Sequence, residues 1–244
     1  MQPKYIHIKE TGSTNTYLAN MASTLPEGTV IYTSLQSAGR GQRGAYWESE
    51  PGKNLTFSLL LKPKHIHPNR QFHISEAVSV GIVNVLSEYA PGFTVKWPND
   101  IYYKDKKICG MLIEHSISGR TFDYTVIGAG VNINQMEFRS DAPNPVSLAQ
   151  IIGTETDLDA ILKKIVQSII DLVDFDDNTS FEELHQSYLE LLYRKDGSFH
   201  KFSTPSGEIF DAVITDVLPD GIIILQDNGG NERHYAFKEV SFII

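Results

Sequence analysis

The stretch that decides the fold runs from Lys96 to Glu114 and reads KWPNDIYYKDKKICGMLIE. Pro98 restricts the preceding tryptophan to an extended conformation, and the Asn99–Asp100 pair that follows favours a tight turn. Short apolar runs then resume on both sides of a charged segment, which is typical of strands joined by turns. The stretch therefore predicts successive strands with polar side chains gathered near one turn.

The chain upstream of this stretch adds further strands and two helices. Its β-branched or continuous apolar runs predict strands over residues 4–9, 29–34 and 55–61. Ser13 is placed as the N-cap of a short helix, and Pro68 opens a longer helix to about Tyr89. Residues 122–134 predict one more strand. Strands joined by short turns, with helices grouped between them, indicate an α+β protein with a mixed β-sheet and flanking helices.

The chain downstream changes character twice. Apolar residues at helical spacing from Leu158 to Val173 predict one amphipathic helix. Ser180 and Glu183 form the pattern of a capping box, which predicts a second helix to about Tyr193. Beyond it, turn sequences recur at 205–207, 219–221 and 228–230. Short strands between such turns predict a small C-terminal β-barrel or sandwich, so we expect two domains, residues 1–195 and 196–244.

Composition excludes several classes of protein. The 244 residues carry 21 Lys and Arg against 30 Asp and Glu, a net charge of −9, which argues against nonspecific nucleic-acid binding. No run approaches the roughly 18 apolar residues of a membrane-spanning helix, and the first ten residues contain no signal-peptide core. The single cysteine, Cys109, cannot form an internal disulfide. We therefore expect a cytoplasmic protein without DNA or membrane partners.

A glycine-rich loop, SAGRGQRGAYW, spans Ser37–Trp47. Its glycines fit the pattern G-x-G-x-x-G, yet the helix of a dinucleotide-binding fingerprint and the Lys-Ser or Lys-Thr of a P-loop are both missing. The residues concerned are Gly39, Arg40, Gly41, Arg43 and Gly44. Glycines let backbone amides approach a ligand, and two arginines without a neighbouring acid bring permanent positive charge. The loop is therefore predicted to be a lid that binds an anion.

Two further features indicate a ligand site. Lys107 begins a predicted strand directly before Ile108, so its stem is sheltered and its ammonium is a point charge suited to phosphate. Taken alone, Lys107 is also typical of a hairpin with solvated lysines. The predicted strand at 127–134, IGAGVNIN, contains two glycines, which indicates a bulge or a close approach of the backbone to a ligand.

Four motifs in this order resemble those of the biotin–protein ligases, also called biotin–[acetyl-CoA-carboxylase] ligases or holocarboxylase synthetases. They are TGSTN at 11–15, the glycine-rich loop, KWPNDI followed by Lys107-x-x-Gly110, and GAGVNIN at 128–134. The resemblance implies a catalytic domain like that of class II aminoacyl-tRNA synthetases, followed by an SH3-like barrel. It also implies a two-step reaction. Biotin and ATP, with Mg²⁺, form biotinyl-5′-AMP and pyrophosphate, and biotin then passes to a lysine of a carboxylase carrier domain.

The resemblance implies a biotin site built from hydroxyl, amide and glycine positions. Ser13 and Thr14 match hydroxyls that suit the ureido ring, Gln36 accompanies them, and Gly110 matches a backbone position lining the pocket. Lys107 matches the lysine that contacts the biotin carboxylate and the α-phosphate. The full set of matched biotin-binding positions is Ser13, Thr14, Gln36, Gly39, Arg40, Gly41, Lys107 and Gly110.

The resemblance implies a nucleotide site beside it. Trp47 matches the aromatic residue that closes over the nucleotide, while Asn99 and Asn132 match positions near adenine and the metal–phosphate region. The matched ATP-binding or adenylate-binding positions are Arg43, Gly44, Trp47, Asn99 and Asn132, and no metal ligand is identified. Lys107 and Arg40 are the implied catalytic cations, because a carboxylate and a triphosphate repel each other until positive charge brings them together.

The sequence departs from the family pattern in two places. Gln42 stands where many members have arginine, so we expect the loop to retain the adenylate less tightly. Only twelve residues precede Ser13, so neither the winged helix of regulatory members nor operator binding is expected. The implied partner is a biotin carboxyl carrier protein or carrier domain, and a homodimer is consistent with the family.

Three alternatives remain open on the sequence. A lipoate–protein ligase or octanoyl transferase shares the implied catalytic fold, and Cys109 then suggests an acyl-thioester nucleophile. The apolar neighbours of Cys109 favour a small buried core residue instead. A non-catalytic biotin sensor is the third alternative, and the matched Lys107 and Arg40 argue against it.

Overall fold

The structure, a computed structural model, describes residues 1–39, 41, 47–139, 144–173 and 178–244, and of residues 178 and 179 it describes the backbone. Its larger sheet has seven strands in the order β1-β2-β3-β7-β6-β5-β4. Their bounds are Lys4–Thr11 (β1), Thr29–Gln36 (β2), Leu55–Leu61 (β3), Phe93–Lys96 (β4), Asp100–Tyr103 (β5), Lys106–Ser118 (β6) and Thr121–Val131 (β7). Strands β1 and β2 pair in parallel and the other neighbours are antiparallel, so the sheet is mixed.

Helices cover both faces of this sheet. Their bounds are Thr14–Met21 (α1), Phe72–Ser87 (α2), Leu148–Ile152 (α3), Leu158–Val173 (α4) and Asn178–Glu190 (α5). Helices α2, α4 and α5 pack together on one face, while α1 lies against β2, β3 and β7 on the other. Because side chains alternate along a strand, Phe57 and Leu59 of β3 join the main core, whereas Leu60 joins the smaller cluster under α1.

A second sheet follows α5, with five antiparallel strands in the order β11-β10-β9-β8-β12. Its strands are His200–Ser203 (β8), Ile209–Val217 (β9), Ile223–Asp227 (β10), Glu232–Tyr235 (β11) and Ser241–Phe242 (β12). Phe202, Ala212 and Leu225 of this C-terminal sheet are fully buried and belong to the same core as the larger sheet. The two sheets therefore share a continuous apolar interface.

Several predicted elements match the structure, and two differ. Strand β3 and helix α4 have the predicted bounds, and Ser13 caps α1 by accepting a hydrogen bond from the Thr16 amide at 3.4 Å. The capping box predicted at Ser180 is wrong, because α5 begins at Asn178 and places Ser180 inside its first turn. The helix predicted from Pro68 begins instead as a 3₁₀ turn, Pro68–Arg70, with α2 following.

No helix among the described residues is long and apolar enough to cross a membrane.

Candidate active site

A cavity of about 360 Å³ opens on the α1 face of the larger sheet. Strands β3, β6 and β7 form its floor, the N-terminus of α1 forms one end, and the C-terminal sheet closes another side. The described residues that line it include Ser13, Thr14, Asn15, Gln36, Gly41, Trp47, Lys96, Trp97, Asn99, Asp100, Lys107, Gly110, Gly128, Gly130, Phe237, Lys238 and Phe242. The cavity thus draws on all parts of the chain that the motifs single out.

Glycines make the floor of the cavity flat. Gly110 of β6 pairs with Gly130 of β7, and the indole of Trp47 rests on both. A Cβ added at Gly130 would lie 2.3 Å from Trp47 Nε1, and one at Gly110 would lie 2.8 Å from Trp47 Cζ3. Trp47 Nε1 is buried without a hydrogen-bond partner among the described residues. The glycine pair therefore forms a slot that accepts a planar ring.

Hydroxyl and amide groups gather at the α1 end of the cavity. The Thr14 amide donates to Gln36 Oε1 at 2.9 Å, and the Thr14 and Ser58 hydroxyls lie 2.8 Å apart. Ser58 also donates to Asn15 Oδ1 at 2.6 Å. These groups match the needs of a small polar ring with both donors and acceptors.

Asn15 fixes this polar end, and sequence reasoning did not single it out. Its Nδ2 donates to Glu114 Oε2 at 2.7 Å and to the Leu112 carbonyl at 3.0 Å, which ties α1 to β6. The Asn15 side chain fits only because Gly128 lies beneath it, since a Cβ there would be 2.1 Å from Asn15 Oδ1. Asn15 and Gly128 both belong to matched motifs, but only the register of β6 and β7 brings them together.

Lys107 lies at the opposite end of the glycine slot. Its Nζ is 2.7 Å from Asp100 Oδ1 and 5.5 Å from the centre of the Trp47 ring. Its backbone is also fixed, because the Lys107 amide donates to the Asn144 carbonyl and the Lys107 carbonyl accepts from the Val146 amide. Asp100 was recognised only as a turn residue in the sequence. Its carboxylate restrains the ammonium of Lys107 at the place where the cavity meets the C-terminal sheet.

A second lysine, Lys96, lies beside this pair. Its Nζ is 4.9 Å from the centre of the Phe242 ring and 5.4 Å from that of Tyr102. Burial lowers the pKa of Lys96, and the charge of Asp100 opposes that effect. The contact with Phe242 is a cation–π interaction that joins the turn of the larger sheet to the C-terminal sheet.

The C-terminal sheet contributes its own cation to the cavity. Among the described residues, Lys201 pairs with Asp211, Arg233 pairs with Asp227 and Glu208, and no carboxylate lies within ion-pair distance of Lys238. Lys238 lines the cavity and has a backbone φ of 73°, which a residue with a side chain rarely adopts. The one unpaired cation that the described C-terminal sheet offers therefore faces the cavity.

The structure brings together most of the residues predicted from the sequence. Those that line the cavity are Ser13, Thr14, Gln36, Gly41, Trp47, Asn99, Lys107 and Gly110. Asn99 is held by a hydrogen bond from its Nδ2 to the Met111 carbonyl at 2.5 Å. Gly39 lies at the edge, where its carbonyl accepts from the Trp47 amide at 3.3 Å.

Other predicted residues lie elsewhere or outside the described part of the chain. Asn132 is buried next to Val146, whose carbonyl accepts from its Nδ2 at 3.2 Å, and it does not line the cavity. Arg40, Arg43 and Gly44, with Gln42, fall outside the described residues, as does most of the predicted anion-binding lid.

The described residues offer no preformed metal site. Within the ranges given above, no three or more His, Cys, Asp or Glu side chains are arranged to hold a metal ion. Asp100 is the single carboxylate among the described residues lining the cavity, and its Oδ1 is already bound to Lys107. The described cavity therefore supplies few of the oxygen ligands that a Mg²⁺ ion takes.

Cys109 precedes the cavity residue Gly110, but its side chain lies on the other face of β6. Its side chain is fully buried in the main core, on the face of β6 opposite to Gly110. Burial raises the pKa of its thiol well above the ordinary value. A buried, protonated thiol is a poor nucleophile, which weighs against the thioester alternative.

Known proteins resemble this chain most clearly over the segment that contains the motifs. The family model of the biotin/lipoate A/B protein ligase family matches residues 8–132, just over half of the chain. The bifunctional ligase/repressor BirA of Bacillus subtilis is 26% identical over 246 residues, covering 94% of this chain and 70% of that protein. BirA of Escherichia coli is 37% identical over 124 residues, covering 50% of this chain and 38% of the relative.

A third relative is the biotin–[acetyl-CoA-carboxylase] ligase of Paracoccus denitrificans. It is 30% identical over 135 residues, covering 52% of this chain and 53% of the relative. The matched part of the chain thus covers between 38% and 70% of the length of these relatives.

Solved structures agree along the whole chain. The biotin protein ligase of Aquifex aeolicus in complex with biotin and ATP superposes with a TM-score of 0.81 at 25% identity, covering 98% of this chain and 97% of that one. The match confirms the α+β fold with a mixed sheet, flanking helices and an SH3-like C-terminal unit. The chain belongs to the biotin/lipoate A/B protein ligase family and, within it, to the biotin–protein ligases.

Proposed function

We propose that the protein activates biotin with ATP as biotinyl-5′-AMP and transfers it to a specific lysine of a carboxylase carrier domain. The observation that carries this proposal is the position of Lys107. Asp100 holds its ammonium between the glycine slot and two further cavity lysines, Lys96 and Lys238. The cavity of about 360 Å³ beside this slot suits a small bicyclic ligand, and the cations bring two anions together. The names of the relatives support the same reaction.

The biotin ring occupies the α1 end of the cavity in this proposal. Thr14, Gln36 and Ser13 bind the ureido group, and Asn15 holds the surrounding groups in place. The valeryl tail runs from that polar end towards Lys107, past the Trp47 indole that rests on Gly110 and Gly130. The separation of a polar end from a cationic end gives the ligand one orientation, which is how a few placed polar groups confer specificity.

The cationic end carries the chemistry. A carboxylate oxygen of biotin attacks the α-phosphorus of ATP, the bond to the β-phosphate breaks, and pyrophosphate leaves with the bond's electron pair. Lys107 contacts both the attacking carboxylate and the α-phosphate, where negative charge develops. Mg²⁺ enters on the phosphates as part of the nucleotide substrate, and Arg40 completes the charge if the loop closes as the resemblance implies.

The second step passes the biotinyl group to a protein amine. The neutral amine of the carrier lysine attacks the acyl carbon, the bond to AMP breaks, and AMP leaves while the amine loses a proton to solvent. We propose the biotin carboxyl carrier protein or carrier domain as the partner, a homodimer as the assembly, and the reducing cytoplasm as the location. The unpaired, buried Cys109 supports such a compartment.

Biotin-dependent exchange of pyrophosphate into ATP tests the first step, and transfer of labelled biotin to a carrier domain tests the second. Lys107→Ala is expected to lower exchange by roughly 10²–10³-fold, the loss typical of one preorganised electrostatic group. Lys106→Ala is the matched control, since Lys106 is exposed and outside the cavity. Exchange by Lys107→Ala within threefold of wild type contradicts the assignment, and exchange with lipoate in place of biotin favours the lipoate alternative.

A further inference from the structure

A partly buried cluster of histidines and carboxylates lies outside the cavity, where α2, α5 and the C-terminal sheet meet. Its centre is Glu76 of α2, whose side chain is fully buried. His73 Nδ1 lies 2.5 Å from Glu76 Oε2, and His185 Nδ1 of α5 lies 2.7 Å from Glu76 Oε1. His185 Nε2 lies 3.0 Å from Oδ1 of Asp216, which belongs to β9. His185 is therefore the link between the helices and the C-terminal sheet.

The geometry favours the protonated form of His185. Both of its ring nitrogens face carboxylate oxygens, and only the doubly protonated imidazolium donates from both. The hydrogen bond to Glu76 raises the pKa of His185 against the opposing effect of burial, and Asp216 adds to the rise. Burial alone would raise the pKa of Glu76, but the hydrogen bonds from His185 and His73 outweigh it and hold that pKa low.

The titratable groups around His185 come from three elements. Helix α2 presents His73 and Glu76, helix α5 presents the buried hydroxyl of Tyr188, and β9 presents Asp216. Arg70, at the 3₁₀ turn, lies 5.3 Å from the centre of the Phe181 ring, and that ring contacts His73. When His185 is neutral, its ring can donate a hydrogen bond to only one of the two carboxylates that face it.

The cluster is joined to the cavity through the turn that follows β9. In this turn the Pro219 carbonyl accepts from the Phe72 amide at 3.2 Å, and the Gly221 carbonyl accepts from Trp97 Nε1 at 2.9 Å. The Trp97 ring in turn meets Phe237 edge to face, with centroids 6.2 Å apart. Trp97 and Phe237 both line the cavity, so the placement of β9 determines the position of its C-terminal wall.

We propose that protonated His185 is a positioning residue that holds the C-terminal sheet against the cavity, so that nucleotide binding weakens as His185 loses its proton. The proposal rests on the proposed function for its kinetic consequence. A histidine whose folded pKa lies above its unfolded value, about 6.5, stabilises fully below that value and ceases to do so as the pH rises through the folded pKa. The wall that carries Phe237, Lys238 and Phe242 therefore loosens towards alkaline pH.

Pyrophosphate exchange measured from pH 6 to pH 9 tests the kinetic consequence in wild type, His185→Gln and Asp216→Asn. At pH 6 each variant is expected to raise the KM for ATP by about tenfold, the lower range for a hydrogen bond between charged groups. The ratio of variant to wild-type KM should fall towards one as the pH rises through the folded pKa of His185, because wild type then loses the same contact. Ionisation of ATP affects all proteins equally and cancels in this ratio, and kcat and biotin affinity should change less than twofold.

A second readout does not depend on activity. Trp47→Phe leaves Trp97 as the single tryptophan, and its emission reports whether its indole still contacts the C-terminal sheet. The emission should shift to the red with rising pH, and His185→Gln or the more exposed Asp216→Asn should abolish the shift. A KM ratio independent of pH, an equal loss of biotin affinity, or emission that does not respond to pH overturns the proposal. Absence of exchange in wild type overturns the proposed function instead, and the emission result still decides the role of His185.

Discussion

A methyl group added at Gly128 should disrupt the polar end of the cavity without touching any charged residue. The new Cβ would lie 2.1 Å from Asn15 Oδ1, 2.7 Å from its Cγ and 2.9 Å from its Nδ2. Asn15 cannot retreat easily, because it is hydrogen-bonded to Glu114, Leu112 and Ser58 at 2.7, 3.0 and 2.6 Å. The side chain must therefore leave its site and give up these three bonds.

The magnitude follows from the bonds that are lost. Two neutral hydrogen bonds contribute about 1 kcal/mol each and the one to the Glu114 carboxylate about 2 kcal/mol, so Gly128→Ala should lower the free energy of unfolding by about 4 kcal/mol. Urea denaturation at neutral pH measures this loss. Biotin affinity, measured by calorimetry, should fall at least tenfold because Ser58 and Thr14 lose their fixed neighbour. Gly12→Ala is the matched control, since nothing lies within 4 Å of a Cβ added there.

A double-mutant cycle separates this mechanism from a general effect of alanine in β7. Asn15→Ala removes the same three bonds, so adding Gly128→Ala to it should cost less than about 1 kcal/mol more. The two substitutions are then strongly non-additive. If the losses from Gly128→Ala and Asn15→Ala simply add, the clash with Asn15 is not the cause and the reasoning fails.

Three further outcomes follow from the cavity. Biotin should change the tryptophan emission. Trp97→Phe should retain this change and Trp47→Phe should lose most of it, because Trp47 rests on the glycine slot. Retention of the change in Trp47→Phe contradicts that placement. Lys238→Ala should raise the KM for ATP roughly threefold to tenfold with biotin affinity unchanged. Lys201→Ala removes a cation that is paired with Asp211, so it should alter neither quantity. An equal effect of both variants refutes the role of Lys238 in ATP binding. A thiol-blocking reagent should leave exchange intact because Cys109 is fully buried, and rapid inactivation contradicts this.

Local patterns predicted those elements whose burial is uniform along their length. Leu55–Leu61 is a continuous apolar run because β3 is buried on both faces, and α4 shows helical spacing because one side packs on α2. Ser180 misled the prediction, since Ser followed three residues later by Glu occurs in a first turn as well as before one. The motif residues were found because chemistry-bearing residues cluster locally in the sequence.

Contacts between distant segments could not be predicted in this way. Asn15 meets Glu114 across 99 residues and His185 meets Glu76 across 109, and each contact depends on the register of a sheet or the packing of two helices. No local pattern distinguishes His185 from a solvated histidine, because its partners arrive from another helix and from β9. Asp100 was visible only as a turn residue, since its pairing with Lys107 depends on how β5 and β6 align.

Net charge and site charge are therefore separate properties of this chain. The first 134 residues carry 13 basic and 10 acidic residues, so the acidity of the whole chain belongs to its remaining part. That part nonetheless supplies Lys238 to the cavity and neutralises its other described cations in the C-terminal sheet with neighbouring carboxylates. Dissolved salt screens the remaining exposed carboxylates over about 8–10 Å. The nearest ammonium groups therefore determine the field that an anionic substrate meets in the cavity.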